Sequence, residues 1–203
     1  MFFIGMIPNK GMVLDIGANI GITTVPLAKA LPNASVFSYE PMPHNAKALR
    51  RVVQASKLKN VSVFETALDE REGELKMVLP VINGVKMQGL SHVYEEGNST
   101  DWNKGDLFTV PVKQLDRLPN LQAATITAIK IDVENFEYNV LKGGQQLLAK
   151  NKPLIYTELW ENEKKQQCID YLQGLGYQTK VFEGNQLVPY TGQANEVNYF
   201  FVP

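Results

Sequence analysis

A chain of 203 residues with 44% hydrophobic and 20% charged side chains is long enough to bury a core and lacks the composition of a disordered segment. Its 20 basic and 21 acidic residues leave a formal net charge of −1, so no global field draws it to nucleic acid or to an anionic membrane. Its one cysteine, Cys168, excludes an internal disulfide and reads as a small buried side chain in a reducing, cytoplasmic setting.

The opening stretch, residues 1–8, is apolar but has no leading positive charge and falls short of the ~18 apolar residues that span a bilayer. It reads as a segment packed on the body of the domain, or as the remainder of a longer natural N-terminus. Short apolar runs then alternate with helical stripes, the α/β pattern. Residues 12–16 read as a buried strand ending in a glycine turn, 20–31 as a helix stopped by Pro32-Asn33, and 35–39 as a second strand. A helix over 43–57 follows with proline in its first turn, then a third strand over 61–66. Residues 74–79 and 107–112 read as strands flanking a polar stretch, 83–106, that holds four glycines; a connection this long is functional or mobile. Regularity returns with a strand over 126–133, a helix over 136–150, a strand over 154–159 and a helix over 163–175. The last two strands, 177–182 and 196–202, read as a hairpin joined through Gly184-Asn185. No second domain or internal repeat is visible, so 1–203 reads as a single domain. A mostly parallel sheet of this kind binds ligands beyond the carboxyl ends of its strands.

Three segments fall at such ends. The first is Leu14-Asp15-Ile16-Gly17-Ala18-Asn19-Ile20-Gly21. Glycines at 17 and 21 let the backbone turn sharply and approach a ligand. The dinucleotide fingerprint is absent, and Asp15 stands two residues before the first glycine, where it would repel a pyrophosphate. An acid beside an open backbone suits a ligand with an ammonium and a sulfonium, as in S-adenosylmethionine; the plainer alternative is a glycine turn beside a solvated Asp15. The second is Tyr39-Glu40-Pro41, where an acid can accept from both hydroxyls of a ribose, although acids before helices are common for dipole reasons. The third is Ile129-Lys130-Ile131-Asp132-Val133-Glu134, in which strand alternation points Lys130, Asp132 and Glu134 to one side. Carboxylates that close together raise each other's pKa, and Asp132, with Glu134 second, is the candidate general base. The competing reading is a salt-bridged strand end feeding the first turn of a helix, to which Glu137 belongs.

Together these segments resemble the FkbM family of class I methyltransferases over residues 11–160. Glu65-Thr66-Ala67-Leu68-Asp69 with Gly73, Leu141-Lys142-Gly143, and Thr157-Glu158-Leu159 add to the likeness. The resemblance implies a Rossmann-like three-layer α/β sandwich, with a mostly parallel seven-stranded sheet whose last strand is antiparallel. It implies S-adenosyl-L-methionine as cofactor and O-methylation of a small-molecule or sugar-like acceptor; from the near-neutral charge and the short apolar start, neither nucleic acid nor membrane is expected as partner. Carried over, Asp15, Gly17, Asn19 and Gly21 border the methionine half of the cofactor, Glu40 with Pro41 holds the ribose, and Thr66, Ala67 and Leu68 lie along the adenine. The chain has Glu134-Asn135-Phe136-Glu137 where the family usually has Glu-Gly-Ala-Glu, a departure on the acceptor side. Segment 74–113 is expected to shape the acceptor site.

Weaker candidates are His44, as adenine contact or exposed helix residue; His92, as base or surface histidine; and Trp102, stacking on an acceptor or tacking its loop to the body. Trp160 reads as core or pocket wall. Glu158 could join Asp132 and Glu134 in an oxygen-rich cation site, but the plainer reading, with no metal, leads. The functional competitors are a non-catalytic cofactor-binding module and a nicotinamide-dependent oxidoreductase; the missing phosphate fingerprint argues against the latter.

Overall fold

The apolar runs become the strands of one central sheet, and the polar middle of the chain folds back on itself as a second, smaller one. The computed structural model describes residues 2–193 and 195–203. In chain order, α1 (Phe2–Gly5) leads to β1 (Met12–Ile16), α2 (Thr24–Ala30), β2 (Ser35–Tyr39), α3 (Pro43–Ala55) and β3 (Val61–Phe64). The middle comprises β4 (Ala67–Leu68), β5 (Gly73–Ile82), β6 (Val85–Lys86), β7 (His92–Val93) and β8 (Gly105–Lys113). Then come β9 (Ile126–Ile131), α4 (Glu137–Gly143), α5 (Gln145–Asn151), β10 (Leu154–Glu158), α6 (Glu163–Gly174), β11 (Gln178–Glu183), β12 (Gln186–Pro189) and β13 (Asn198–Val202).

The central sheet runs β12-β11-β13-β10-β9-β1-β2-β3. From β3 to β10 every pairing is parallel, and β13 is antiparallel to both β10 and β11. The expected seven strands are present, and β12 makes an eighth at the edge. The Gly184-Asn185 turn therefore joins β11 to β12 rather than to the last strand. The final strand instead inserts between β10 and β11, a long-range pairing that turn chemistry does not encode.

Strand alternation sorts the core into two layers. Leu14, Ile16, Ile129 and Ile131 face one side, under Val140, Leu141, Leu148, Ile169 and Leu172 of α4, α5 and α6. Val13, Val36 and Ala128 face the other, under Phe3 and Ile7 of the N-terminal segment and Leu27 and Ala28 of α2. That segment thus packs on the body, with the Phe3 and Tyr156 rings 5.3 Å apart. Cys168 is fully buried in the first layer, and burial pushes its thiol up to about 12. No described helix is long and apolar enough to cross a membrane.

Two expected helices change shape. The one expected over 20–31 is helical only from Thr24, because the glycine turn runs on to Thr23. The one expected over 136–150 is two, broken at Gly144, where the backbone leaves helical geometry and an added Cβ would press on Leu115. The polar middle is more ordered than its composition suggests. β5 and β8 pair antiparallel from Gly73↔Val112 to Pro80↔Gly105, and Met77, Leu79, Val110 and Val112 form a small core with Met42 and Ala67. That core seats the small sheet against the carboxyl end of β2.

Candidate functional site

Two cavities meet beyond the carboxyl ends of β1, β2 and β9. The walls of the first include Gly17, Ala18, Asn19, Glu40, Pro41, Ala67, Leu68, Lys130, Asp132 and Glu134. The second lies toward the segment between β7 and β8, and the two share Val93, Glu134 and Phe136. The second is the roomier, about 670 Å³ against about 190 Å³, which leaves space for a ring-sized guest.

The turn after β1 is built on backbone. Gly17 has φ +74°, and a Cβ there would overlap the carbonyl oxygen of Asp132, so only glycine lets β1 and β9 close. The amides of Gly17 and Ala18 both donate to the Tyr39 carbonyl at 3.0 Å. Asn19 adopts the left-handed region at φ 49°, which aims its amide at Glu40 Oε2, 2.9 Å away. The Met42 amide donates to Oε1 of the same carboxylate at 2.9 Å. Glu40, 5% exposed, is therefore pinned at both oxygens. Burial raises its pKa, and the two amides, Asn45 and Lys130 oppose that shift.

Asp15 is not solvated. It is fully buried and lies outside the wall of either cavity, accepting from the Thr24 hydroxyl at 2.6 Å. Its Oδ1 stands 3.4 Å from Nζ of Lys130, itself 4% exposed. That ammonium donates to the carbonyl oxygens of Gly17 at 2.8 Å and Ile16 at 3.4 Å, and lies 3.5 Å from Asp132 Oδ2. Lys130 is thus a brace across the ends of β1 and β9; the salt-bridged strand end that the sequence offered is present in its pairing with Asp132, while its pairing with Asp15 was not disclosed. Only the apolar context of its strand hinted that a lysine there must be buried and paired. Gly21 and Thr66 also lie off both walls; the Thr66 hydroxyl donates to the Pro111 carbonyl at 2.9 Å, clasping the small sheet.

Glu134 reaches the site by a different route from the one expected. β9 ends at Ile131, so alternation carries Lys130 and Asp132 but not Glu134. The chain instead enters a turn in which Glu134 (φ 52°) and Asn135 (φ 70°) are both left-handed. Such strain persists only where the surroundings over-determine it. Glu137, 3% exposed, does so by accepting from the amides of Val133 at 3.2 Å and Asn135 at 3.1 Å. Burial pushes Glu137 up to about 6 against those hydrogen bonds. Glu134, with no hydrogen bond to its carboxylate among the described residues, is pushed up to about 7 by burial and then by Asp132, Glu158 and Glu137, with Lys130 opposing. Glu158 lines neither cavity; burial and then Asp132 raise its pKa. Among the described residues no three acidic, histidine or cysteine side chains group to hold a metal ion.

The other candidates separate clearly. His44 is exposed, off both cavities, with its ring edge-on to Phe108. His92, Trp102 and Trp160 all line the second cavity, and Trp160 is a half-exposed wall residue rather than core.

Residues 15–179 match the family model of the methyltransferase FkbM domain. The chain belongs to the FkbM methyltransferase family. It is 24% identical over 153 residues to Methyltransferase 1 of Beauveria bassiana (strain ARSEF 2860), covering 67% of this chain and 59% of that protein. It is 27% identical over 163 residues to the 2-O-methyltransferase NoeI of Sinorhizobium fredii (strain NBRC 101917 / NGR234), covering 75% and 64%. The chain therefore spans only about three fifths of the length of these relatives. The crystal structure of Methyltransferase FkbM from Methylobacillus flagellatus KT superposes with a TM-score of 0.64 at 16% identity, over 97% of this chain and 45% of that one. A putative rRNA-methylase from Clostridium thermocellum gives 0.56 at 10% identity, over 98% and 89%. At those identities the likeness shows the class I methyltransferase fold. Asn135, where the resemblance led to an expectation of glycine, holds a left-handed position, and asparagine is among the residues that adopt that region most readily. Phe136, where the resemblance led to an expectation of alanine, lines both cavities.

Proposed function

We propose that the chain is an S-adenosylmethionine-dependent O-methyltransferase, with the methyl donor in the first cavity and a small hydroxylated acceptor in the second. The observation that carries this reading is Glu134, an unpaired carboxylate raised to about 7 in the wall common to both cavities. The first cavity fits the donor on its own chemistry. Glu40 is buried with both oxygens held by amides, so its remaining lone pairs can accept from two ribose hydroxyls. Gly17 and Asn19, with Ala18, offer a close backbone edge to the methionine part, with Asp15 and Gly21 shaping that turn from behind. Ala67 and Leu68 offer an apolar strip for the adenine beside Pro41, with Thr66 holding that strip in place.

The bound donor supplies a methyl carbon already activated on a sulfonium. What remains for the protein is to align the acceptor oxygen with it, exclude water and take up the hydroxyl proton. Glu134 is placed to take that proton, being the carboxylate that touches both cavities. Asp132, tied to Lys130 and facing only the first cavity, holds Glu134's affinity for the proton high and orients the reacting groups. Segment 74–113 closes the acceptor side through the residues between β7 and β8, and 1–203 works as a single domain. The 2-O-methyltransferase name of one relative supports transfer to oxygen.

Isothermal calorimetry with S-adenosylhomocysteine tests the donor site, with NAD and the Glu40→Ala variant as controls. The expected result is binding by the parent, none by the variant and none of NAD; at about 100 times Kd the ligand should stabilise the fold by about 2.7 kcal/mol. A folded chain that binds no adenosyl ligand would overturn the reading.

A further inference from the structure

The chain contains two tryptophans, and both line the second cavity. They come from separate parts of the fold. Trp102 lies in the single helical turn Asp101–Asn103 between β7 and β8, and Trp160 stands just beyond β10 at the carboxyl edge of the central sheet. Each is half exposed, at 50% and 51%. An indole left in water forgoes the burial free energy that a core position would recover, so two of them on one cavity amount to an unfilled apolar surface. Leu90, Val93 and Phe136 extend that surface.

Polar side chains make up the rest of the lining and serve as its hydrogen-bonding rim. The Nδ1–H of His92 donates to the Leu90 carbonyl at 2.9 Å, so in the neutral ring Nε2 is left as an acceptor. Glu95 and Glu134 set two carboxylates against one ammonium, that of Lys164, which donates to the Asn135 carbonyl at 3.0 Å. A flat aromatic guest would cover the indoles, but the one or two in-plane hydroxyls of a phenol would pair only part of this rim, at the cost that desolvated polar groups carry. An anionic guest would meet the two carboxylates. A neutral saturated ring with C–H faces and a hydroxyl rim satisfies both surfaces.

We propose that Trp102 and Trp160 form a two-sided stacking clamp that holds a neutral pyranose ring in the second cavity, with one hydroxyl presented to Glu134. The assignment rests on the methyltransferase reading for the role of Glu134; the clamp itself is a binding property and is tested without turnover. Because both indoles belong to this cavity, the intrinsic tryptophan emission of the protein reports on it directly.

The experiment is a fluorescence titration of the chain, saturated with S-adenosylhomocysteine, against the methyl α-pyranosides of glucose, galactose, mannose, fucose and rhamnose. Catechol and methyl glucuronide serve as the aromatic and anionic comparators. At least one neutral pyranoside should shift the emission saturably, and the comparators should not. Trp102→Ala and Trp160→Ala should each weaken that pyranoside about tenfold, about 1.4 kcal/mol, while the Phe variants keep most of the affinity. Calorimetric binding of S-adenosylhomocysteine should be the same in all four variants, which shows that each is folded. The clamp is overturned by a protein that binds S-adenosylhomocysteine but responds to none of the pyranosides, by pyranoside binding that survives both alanine changes, or by preference for catechol or the glucuronide. Failure of S-adenosylhomocysteine to bind overturns the donor assignment instead, and the pyranoside titration repeated without it still decides the clamp.

Discussion

Replacing Lys130 by methionine keeps an unbranched side chain one heavy atom shorter and removes the charge that braces the ends of β1 and β9. In the parent, Nζ lies 3.4 Å from Asp15 Oδ1 and 3.5 Å from Asp132 Oδ2, and donates at 2.8 Å to the Gly17 carbonyl. Asp132 has a side chain 40% exposed and keeps water, so its loss is small. Asp15 is fully buried and would retain only the Thr24 hydroxyl. Removing one partner of a buried ion pair costs about 3–5 kcal/mol, because the other charge stays behind uncompensated. At about 2–4 °C per kcal/mol for a domain of this size, the melting temperature should fall by about 6–20 °C. Scanning calorimetry near neutral pH reads this directly, and urea melts check that the slope is unchanged. Adding Asp15→Asn to the same chain should recover most of the loss, since a neutral amide can still accept from Thr24 and needs no counter-ion. A Lys130→Met protein that melts with the parent, or a double variant as unstable as the single one, would refute the argument.

The pH dependence of methyl transfer should follow Glu134: turnover rises through about pH 7 as its carboxyl ionises, and Glu134→Gln removes that limb and lowers kcat by about 10²–10⁴ with S-adenosylhomocysteine affinity intact. A turnover profile unchanged in Glu134→Gln would move the base elsewhere. The same group sets a stability trend. Its proton is held more tightly in the folded chain than at the ordinary value of 4.5, so stability falls as pH rises from about 4.5 to about 7, and chemical denaturation should show a flatter slope in Glu134→Gln. At Asn135, held at φ 70°, alanine should cost about 1–2 kcal/mol while glycine stays close to the parent; equal melts for all three would mean the left-handed turn is not strained.

How far these features could be read without the tertiary structure follows from the range of the interactions behind them. The central parallel strands were legible because each is a short continuous apolar run buried on both faces, and β1, β2, β9 and β10 fall where the pattern puts them. The edge was not. β12 carries a weak, half-exposed pattern, and the place of β13 between β10 and β11 depends on pairing with residues far away in the chain. The ordering of 83–106 was hidden for a similar reason, since its small strands and turns are held by β5 and by Asn103, whose side chain donates to the Glu95 and Asn98 carbonyls.

By itself, then, the amino-acid sequence determined the α/β class, the glycine turn after β1, the acid at the end of β2 and the acidic stretch after β9, because each is a local pattern of backbone freedom, burial and charge. Folding decided what those residues do. It withdrew Asp15 from the cavity and gave it Lys130, because a charge between two buried strand ends must find a counter-charge. It carried Glu134 into the wall shared by two cavities through a left-handed turn that alternation could not foresee. And it set Trp102 and Trp160 on one cavity, since a surface that no single segment owns exists only once the small sheet has packed against the large one.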